Sequence, residues 1–386
     1  MNISSETERV LPKVIEIRRH VHAHPELSGE ERETVAYLCG ILDENGISYT
    51  VLPERRGVVA SVGHGSEAVG VRAELDALPV TEKTRLEYAS KNAGVMHACG
   101  HDIHFASALG LLLLLKPHEN ELERTVKVFF QPAEETVGGA KDMILCGCME
   151  APEVREVIGF HIAPTDRVGS VAYLAGAMNA AVTDFELTVR GKSCHGAHPE
   201  QGVDAIVAAA GIVTALQSVP ARRFAPTTPT IVTIGTVNGG TANNVVAGEV
   251  KLTGTLRALD TGVMAELKDT VRATCEKVAE GFGATAEINY TTEYPVLYND
   301  LLLTEKAIGR ISSLIGEENV KKMDAPSLGA DDFAFFCQAA QCFYFNVGCR
   351  GDDQGDDQVL HSAYLAPDEG CIRTALEILC ALIGKG

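Results

Sequence analysis

The 386-residue sequence predicts an α/β fold carrying an inserted α+β domain, and three observations predict it. Short apolar runs alternate with helical stretches up to about residue 179. From 180 to 295 the order becomes strand, helix, two strands, helix, strand. After 296 a helical segment, an apolar strand and a closing helix return. Apolar strands alternating with amphipathic helices mark an α/β sheet, and the middle order is that of a ferredoxin-like or split βαβ unit. The simplest organisation is a first domain of residues 1–179 and 296–386, with residues 180–295 inserted into it. Two cores suit this length, because one core stops growing at roughly 250–300 residues.

Each element has a local cause. "SSETERVLPKVIEIRRHVHAHPEL" carries apolar residues at helical spacing and ends near Pro25. "SGEERETVAYLCGILDENG" reads as a helix with Ser28 as N-cap, stopping at Gly46. The runs "GVVASVG", "AVGVRAELDALPV", "RTVKVFFQPAEE" and "EVIGFHIAP" are short and apolar, as buried strands are. "LGLLLLLK" is a buried core helix, far below the ~20 residues of a membrane span. In the inserted segment, "AVTDFELTVRGKSCHGAHPEQ" reads as strand then loop and "GVDAIVAAAGIVTALQSV" as a helix. "TPTIVTIGTVNGG" and "NNVVAGEVKLTGTLRAL" follow as strands, "AELKDTVRATCEKVAEGFG" as a helix and "ATAEINYTTEYPVL" as the last strand. "CFYFNVGC" and a final helix ending at Gly384 close the chain.

The net charge of −19, with no basic cluster, disfavours binding to a nucleic-acid backbone or an anionic membrane. The acidic, polar N-terminus lacks the apolar core of a secretory signal. Eleven cysteines without a spacing framework read as reduced thiols. A cytoplasmic protein is expected.

Polar clusters sit directly after apolar strands: "RAELDA", "QPAEE" and "HIAP". In open α/β sheets ligands bind at the carboxyl ends of strands, so these clusters are expected to converge. "MHACGHDIHFA" adds Cys99 and His101, one residue apart, a thiolate–imidazole pair that favours zinc or another late first-row metal. Glu134 and Glu135 are costly to bury unpaired, and sensible if one ligates metal while the other activates water. His161 follows the next strand, and His361 follows a strand and a polar loop near the C-terminus. A metal hydrolase is the leading reading of the residues. A cysteine nucleophile at Cys99, with His101 and Asp102 behind it, is a rival from another class. A catalytically silent binding protein is a third.

The stretches "RRHVHAHPELSGEE", "RAELDALPV", "MHACGHDIH", "FQPAEETVGGAKDMI", "FHIAP", "GKSCHGAHPE", "GTANNVV", "GTLRALD", "SLGADDFAFF" and "LHSAYLAPDE" occur in one order across almost the whole chain. In them the sequence resembles the M20 metallopeptidase family, in the branch of aminoacylase-like, hippurate and auxin-conjugate amidohydrolases. The resemblance implies an α/β metallopeptidase catalytic domain with an inserted lid and dimerisation domain. It implies two divalent ions, zinc first, with manganese, cobalt or nickel as alternatives, held by Cys99, His101, Glu135, His161 and His361. Cys99 would bridge the ions, Glu134 would be the general base and acid, and Asp76 and Asp102 would orient ligands. In the lid, His195 would stabilise the oxyanion, reached from the partner subunit, while Asn244 and Arg257 would contact substrate. The implied reaction is hydrolysis of small N-acyl amino acids by a homodimer, with a dipeptidase or carboxypeptidase as the alternative.

The sequence departs from the family pattern at Glu74, Ile103, Phe105, Glu200 and Asp331. Ile103 and Phe105 are expected to alter pocket shape, and Phe105 with Met178 to favour an apolar acyl group. His20, His22 and His24 read as capping or buried hydrogen-bonding groups, and Cys146, Cys148 and Cys194 as ordinary thiols. "GDDQGDDQ" at 351–358 reads as a solvated acidic loop.

Overall fold

The computed structural model describes residues 2–136, 138–355 and 358–383. Asp356 and Asp357 of the acidic loop, and the expected helix end at Gly384, lie outside the described residues. In chain order the elements begin with α1 (Ile3–Ala23), α2 (Arg32–Glu44), β1 (Ser48–Val51), β2 (Val58–Val62) and β3 (Glu67–Glu74). Next come α3 (His101–Leu115), β4 (Thr125–Gln131), α4 (Gly139–Leu145), β5 (Glu153–Arg167), β6 (Val171–Tyr173) and β7 (Gly176–Asn179). β8 (Ala181–Arg190), α5 (Ala205–Leu216), α6 (Ser218–Arg223), β9 (Thr230–Gly239), β10 (Glu249–Ala258), α7 (Thr261–Gly281) and β11 (Thr285–Tyr294) follow. The chain closes through β12 (Leu297–Asn299), α8 (Leu301–Ile315), β13 (Val320–Lys322), α9 (Phe336–Ala339), β14 (Gln341–Arg350) and α10 (Gly370–Ile383).

Two compact units result: Met1–Met178 with Tyr298–Ala325 and Asp332–Gly386, and Asn179–Leu297 with Pro326–Asp331. The second unit thus takes in residues 326–331, outside the 180–295 expected from sequence. The cause is local: Asn179 bridges Ser327, and the Ala180 amide donates to the Ser327 and Gly329 carbonyls.

The first unit is built on an eight-stranded sheet in the order β1-β2-β4-β3-β5-β14-β6-β13. Its centre, β4-β3-β5-β14, is parallel, so the carboxyl ends of these four strands share one edge. All seven residues of β4 are buried, as expected for a strand covered on both faces. Of the residues of α3, only Leu113 escapes full burial, which explains a sequence that is apolar all round. α3 packs against α1 and α10, and Gly110 permits the approach: a Cβ there would lie 2.8 Å from Val14 and 3.5 Å from Leu376.

Some local expectations shift. α2 starts after Glu31 rather than at Ser28. The Ser28 hydroxyl is engaged elsewhere, donating to Asp76 Oδ2 at 2.6 Å. The second unit is a four-stranded antiparallel sheet, β11-β8-β10-β9, with α5 and α7 packed on it. Numbered within that unit the order is 4-1-3-2, the ferredoxin-like arrangement. Asp204 and Asp260 cap α5 and α7 through backbone amides. Among the described residues no helix is long and apolar enough to cross a membrane.

Candidate metal centre

The site forms where the first unit's parallel strands end. β3 runs into Asp76, β4 into Glu134 and Glu135, and β5 carries His161 opposite Asn346 of β14. Cys99 and His101 flank Gly100, the N-cap of α3, at φ +85°. Only glycine fits there, because a Cβ would lie 2.2 Å from Ile162. The turn aims both side chains at the strand ends. Ala133 and His361 are non-glycine residues at φ +56° and +64°. Such conformations cost on the order of 1–3 kcal/mol and persist where surroundings impose them. At His361 the backbone amide donates to Ala98 O at 2.7 Å.

Five donor atoms converge. Cys99 Sγ lies 3.4 Å from His161 Nε2 and 3.3 Å from His361 Nε2. Glu135 Oε1 lies 3.4 Å from His361 Nε2 and 4.0 Å from His101 Nε2. Cys99, His101 and His161 form one group with donor atoms within 4.8 Å of one another; Cys99, Glu135 and His361 form a second; His101, Glu134 and Glu135 form a third. Cys99 is common to the first two.

Hydrogen bonds fix the histidine tautomers. His101 Nδ1 donates to Asp76, at 2.9 Å to its carbonyl and 3.1 Å to Oδ1. His161 Nδ1 donates to Ile162 O at 2.9 Å. Each ring therefore turns the Nε2 lone pair toward the cluster, the arrangement that suits metal ligation. His101 Nε2 and Glu135 Oε1 are buried and have no hydrogen-bond partner among the described residues. An orphaned imidazole nitrogen facing an orphaned carboxylate oxygen is expensive; a divalent cation would satisfy both. Soft sulfur, imidazole and carboxylate together fit zinc and its neighbours.

Electrostatics point the same way. Burial pushes the Cys99 thiol far above its ordinary range, so without a bound cation it is a poor nucleophile. That weighs against the cysteine-nucleophile reading. Burial opposes charge on Asp76, but His101 and the Glu135 amide, 2.9 Å from Asp76 Oδ2, hold its carboxyl below the usual range. Desolvation lowers His161 to about 4.

Known proteins resemble this chain over most of its length. The model of peptidase family M20/M25/M40 matches residues 70–385. The N-acetyl-L-cysteine deacetylase of Bacillus subtilis is 37% identical over 88% of this chain and 81% of its own length. Thermostable carboxypeptidase 1 of Saccharolobus solfataricus is 36% identical over 93% of this chain and 92% of its own. A solved structure from Bacillus subtilis, described as a dinuclear metal-binding peptidase of family M20, is 30% identical with a TM-score of 0.82, covering 97% of this chain and 98% of that one. The chain belongs to the M20/M25/M40 peptidase family. The expected amidohydrolase enzyme of that family is borne out, and with it metal-dependent amide hydrolysis.

Within this M20 chain the other singled-out residues fall into place differently. Among the described residues Asp102 is hydrogen-bonded to none of the five proposed ligand side chains: its Oδ2 accepts from Arg18 Nε and His22 Nδ1, each at 2.8 Å. His22 is thereby a buried hydrogen-bonding group, while His20 stacks on Tyr37 and His24 Nδ1 donates to His20 O. Ile103 and Phe105 both sit on α3. Both are fully buried, and Phe105 packs on Phe130 at 5.5 Å between ring centroids. Met178 is likewise buried, 3.4 Å from Asn299 Nδ2. All three side chains are part of the buried packing.

His195, Asn244 and Arg257 belong to the second unit. His195 bridges Val245, and the Gly196 amide donates to Asn244 O at 2.8 Å, so His195 and Asn244 sit on adjoining segments. His195 Nδ1 accepts from the Ala197 amide at 3.0 Å, which leaves the hydrogen on Nε2. Arg257 Nη1 donates to Leu328 O at 2.5 Å.

Sequence reasoning passed over His104 and Glu31. His104 Nδ1 donates to Glu74 at 3.0 Å, and its Nε2 accepts from the Ile162 amide at 3.1 Å. Glu31 accepts from the Ala133 amide at 2.9 Å across 102 residues of chain. No local pattern announces a partner that far away.

Proposed function

We propose that this protein hydrolyses the amide bond of N-acyl amino acids, and that Cys99, His101, Glu135, His161 and His361 would hold two divalent ions. Zinc suits the donors best; manganese, cobalt and nickel are the alternatives. The ions supply Lewis acidity, polarising the acyl carbonyl and bringing the pKa of water from 15.7 to about 7. The chain's own residues do the rest. Glu134 takes a proton from the attacking water as its oxygen bonds to the acyl carbon. It then passes that proton to the amine nitrogen as the carbon–nitrogen bond breaks, leaving a carboxylate and a free amino acid. Asp76 holds His101 in the tautomer that ligation needs. Reaching across the homodimer, His195 offers Nε2–H to the developing oxyanion, a contribution typically worth ~10²–10³ in rate, and Asn244 and Arg257 contact the substrate.

The observation that supports this reading is the pair of buried atoms without a hydrogen-bond partner among the described residues, His101 Nε2 and Glu135 Oε1, beside the Cys99 sulfur. The second unit is proposed as a lid and as the homodimer surface. β9 is a sheet edge with one side unpaired, and Ile206, Val207 and Val237 are exposed on this unit. Similarity to a carboxypeptidase supports a second reading, in which the acyl group is itself an amino acid.

Amine release from acetyl-, benzoyl-, long-chain acyl- and indole-acetyl amino acids and from dipeptides tests both. With zinc-loaded protein, turnover is expected to fall ~10²–10⁴-fold in Glu134→Gln, at unchanged metal content. Turnover confined to dipeptides selects the second reading, and turnover that survives Glu134→Gln refutes the role of Glu134.

A further inference from the structure

The stretch "HPELSGEE" precedes α2 and is not part of the metal cluster, yet three of its side chains act on separate tasks. Glu26 caps the helix: its carboxylate accepts from the Glu33 and Thr34 amides at 3.1 and 2.8 Å and from the Thr34 hydroxyl at 2.8 Å. Ser28 donates to Asp76. Glu31 stands at the N-cap position of α2 but makes no side-chain capping bond. Its helix does not use it.

Glu31 is buried, at 5% exposure. Its Oε1 accepts from the Gly29 amide and from the Ala133 amide, each at 2.9 Å. Burial pushes its carboxyl above the usual range, and these amides pull it back down. Ala133 is the left-handed residue immediately before Glu134. On the other side of Glu134, the Glu135 amide donates to Asp76 Oδ2 at 2.9 Å. Two carboxylates from distant segments thus grip the backbone on either side of the proposed base. Left-handed backbone at a residue with a Cβ is disfavoured, and a hydrogen bond accepted from its buried amide offsets that cost.

The geometry points to Glu31 as a positioning residue that holds Ala133 left-handed and so sets where Glu134 and Glu135 project. This rests on the roles proposed above for those two glutamates. Glu31 acts only through the loop.

The test compares Glu31→Ala, Glu31→Asp and Glu31→Gln in the full-length chain. Hydrogen–deuterium exchange of peptides covering 131–136 and zinc affinity by chelator competition are read beside kcat and KM. Glu31→Asp keeps the charge but falls a methylene short of Ala133; Glu31→Gln keeps an acceptor oxygen at full length. Glu31→Ala and Glu31→Asp are expected to speed exchange of the loop and weaken zinc binding ~10–100-fold. They should lower kcat with KM nearly unchanged, while Glu31→Gln stays close to the parent. Adding Ala133→Gly to Glu31→Ala should recover part of the zinc affinity, since glycine takes φ +56° freely. Parent-like exchange and zinc affinity in Glu31→Ala or Glu31→Asp overturns the inference. So does a Glu31→Gln as damaged as Glu31→Ala, or a loss that follows only the unfolded fraction. Exchange and zinc affinity are read without substrate, so an inactive parent protein would count against the proposed reaction and leave this result standing.

Discussion

His101 and His104 lie one turn apart on α3, both buried, and the protein treats them in opposite ways. His104 is closed on both sides, by Glu74 and by the Ile162 amide. Behind it, Glu74 pairs with Arg72, which also reaches Gln131 at 2.9 Å and Asp332 at 2.6 Å. Gln131 and the Ala140 amide bind Asp332 in turn. His101 is closed on one side only, by Asp76, and its Nε2 faces other donors across a gap. The lesson is that histidine density does not mark a metal site. What marks it is a set of buried donors that the protein leaves unsatisfied at a common point, since folding normally eliminates such groups.

Breaking the comparison is straightforward. His101→Ala is expected to lose stoichiometric zinc and with it essentially all amide hydrolysis, whereas His104→Ala should keep full zinc stoichiometry per folded molecule. Metal analysis of both variants decides this, and equal zinc loss in the two would erase the distinction drawn here. Asp76→Asn sharpens it at an intermediate level: the ring of His101 loses a charged partner, and zinc affinity should fall ~10–100-fold without loss of fold. The smallest effect on zinc belongs to His104→Ala, whose cost falls on stability instead. His104→Ala leaves a cavity and strips partners from Glu74 and the Ile162 amide, which should cost roughly 2–4 kcal/mol in urea unfolding.

Much of this was legible. "QPAEE" and "HIAP" stand out as costly polar residues directly after apolar strands and "HACGHD" as a closely spaced thiolate–imidazole pair, and their donors do come together. Reading failed where a residue's partner lay far away in the chain. Asp102 stands beside a proposed ligand in sequence yet serves Arg18 and His22, 84 and 80 residues off. Ser28 has the chemistry of an N-cap, but Asp76 captures its hydroxyl and the helix begins later. Phe105 lies one turn beyond the proposed ligand His101 on the same side of α3, and it is packed against Phe130.

By itself the sequence determined the elements and the layout. Alternating apolar strands and helices required a covered parallel sheet, and the βαββαβ order of the insertion required a second small sheet, because periodicity and chain order act locally. It also supplied the donor types, since sulfur, imidazole and carboxylate carry their chemistry wherever they sit. Tertiary structure alone decided which donors were left open. Whether a buried polar atom is satisfied depends on what strands and helices distant in sequence bring beside it, as with the Glu31 carboxylate and the Ala133 amide, 102 residues apart.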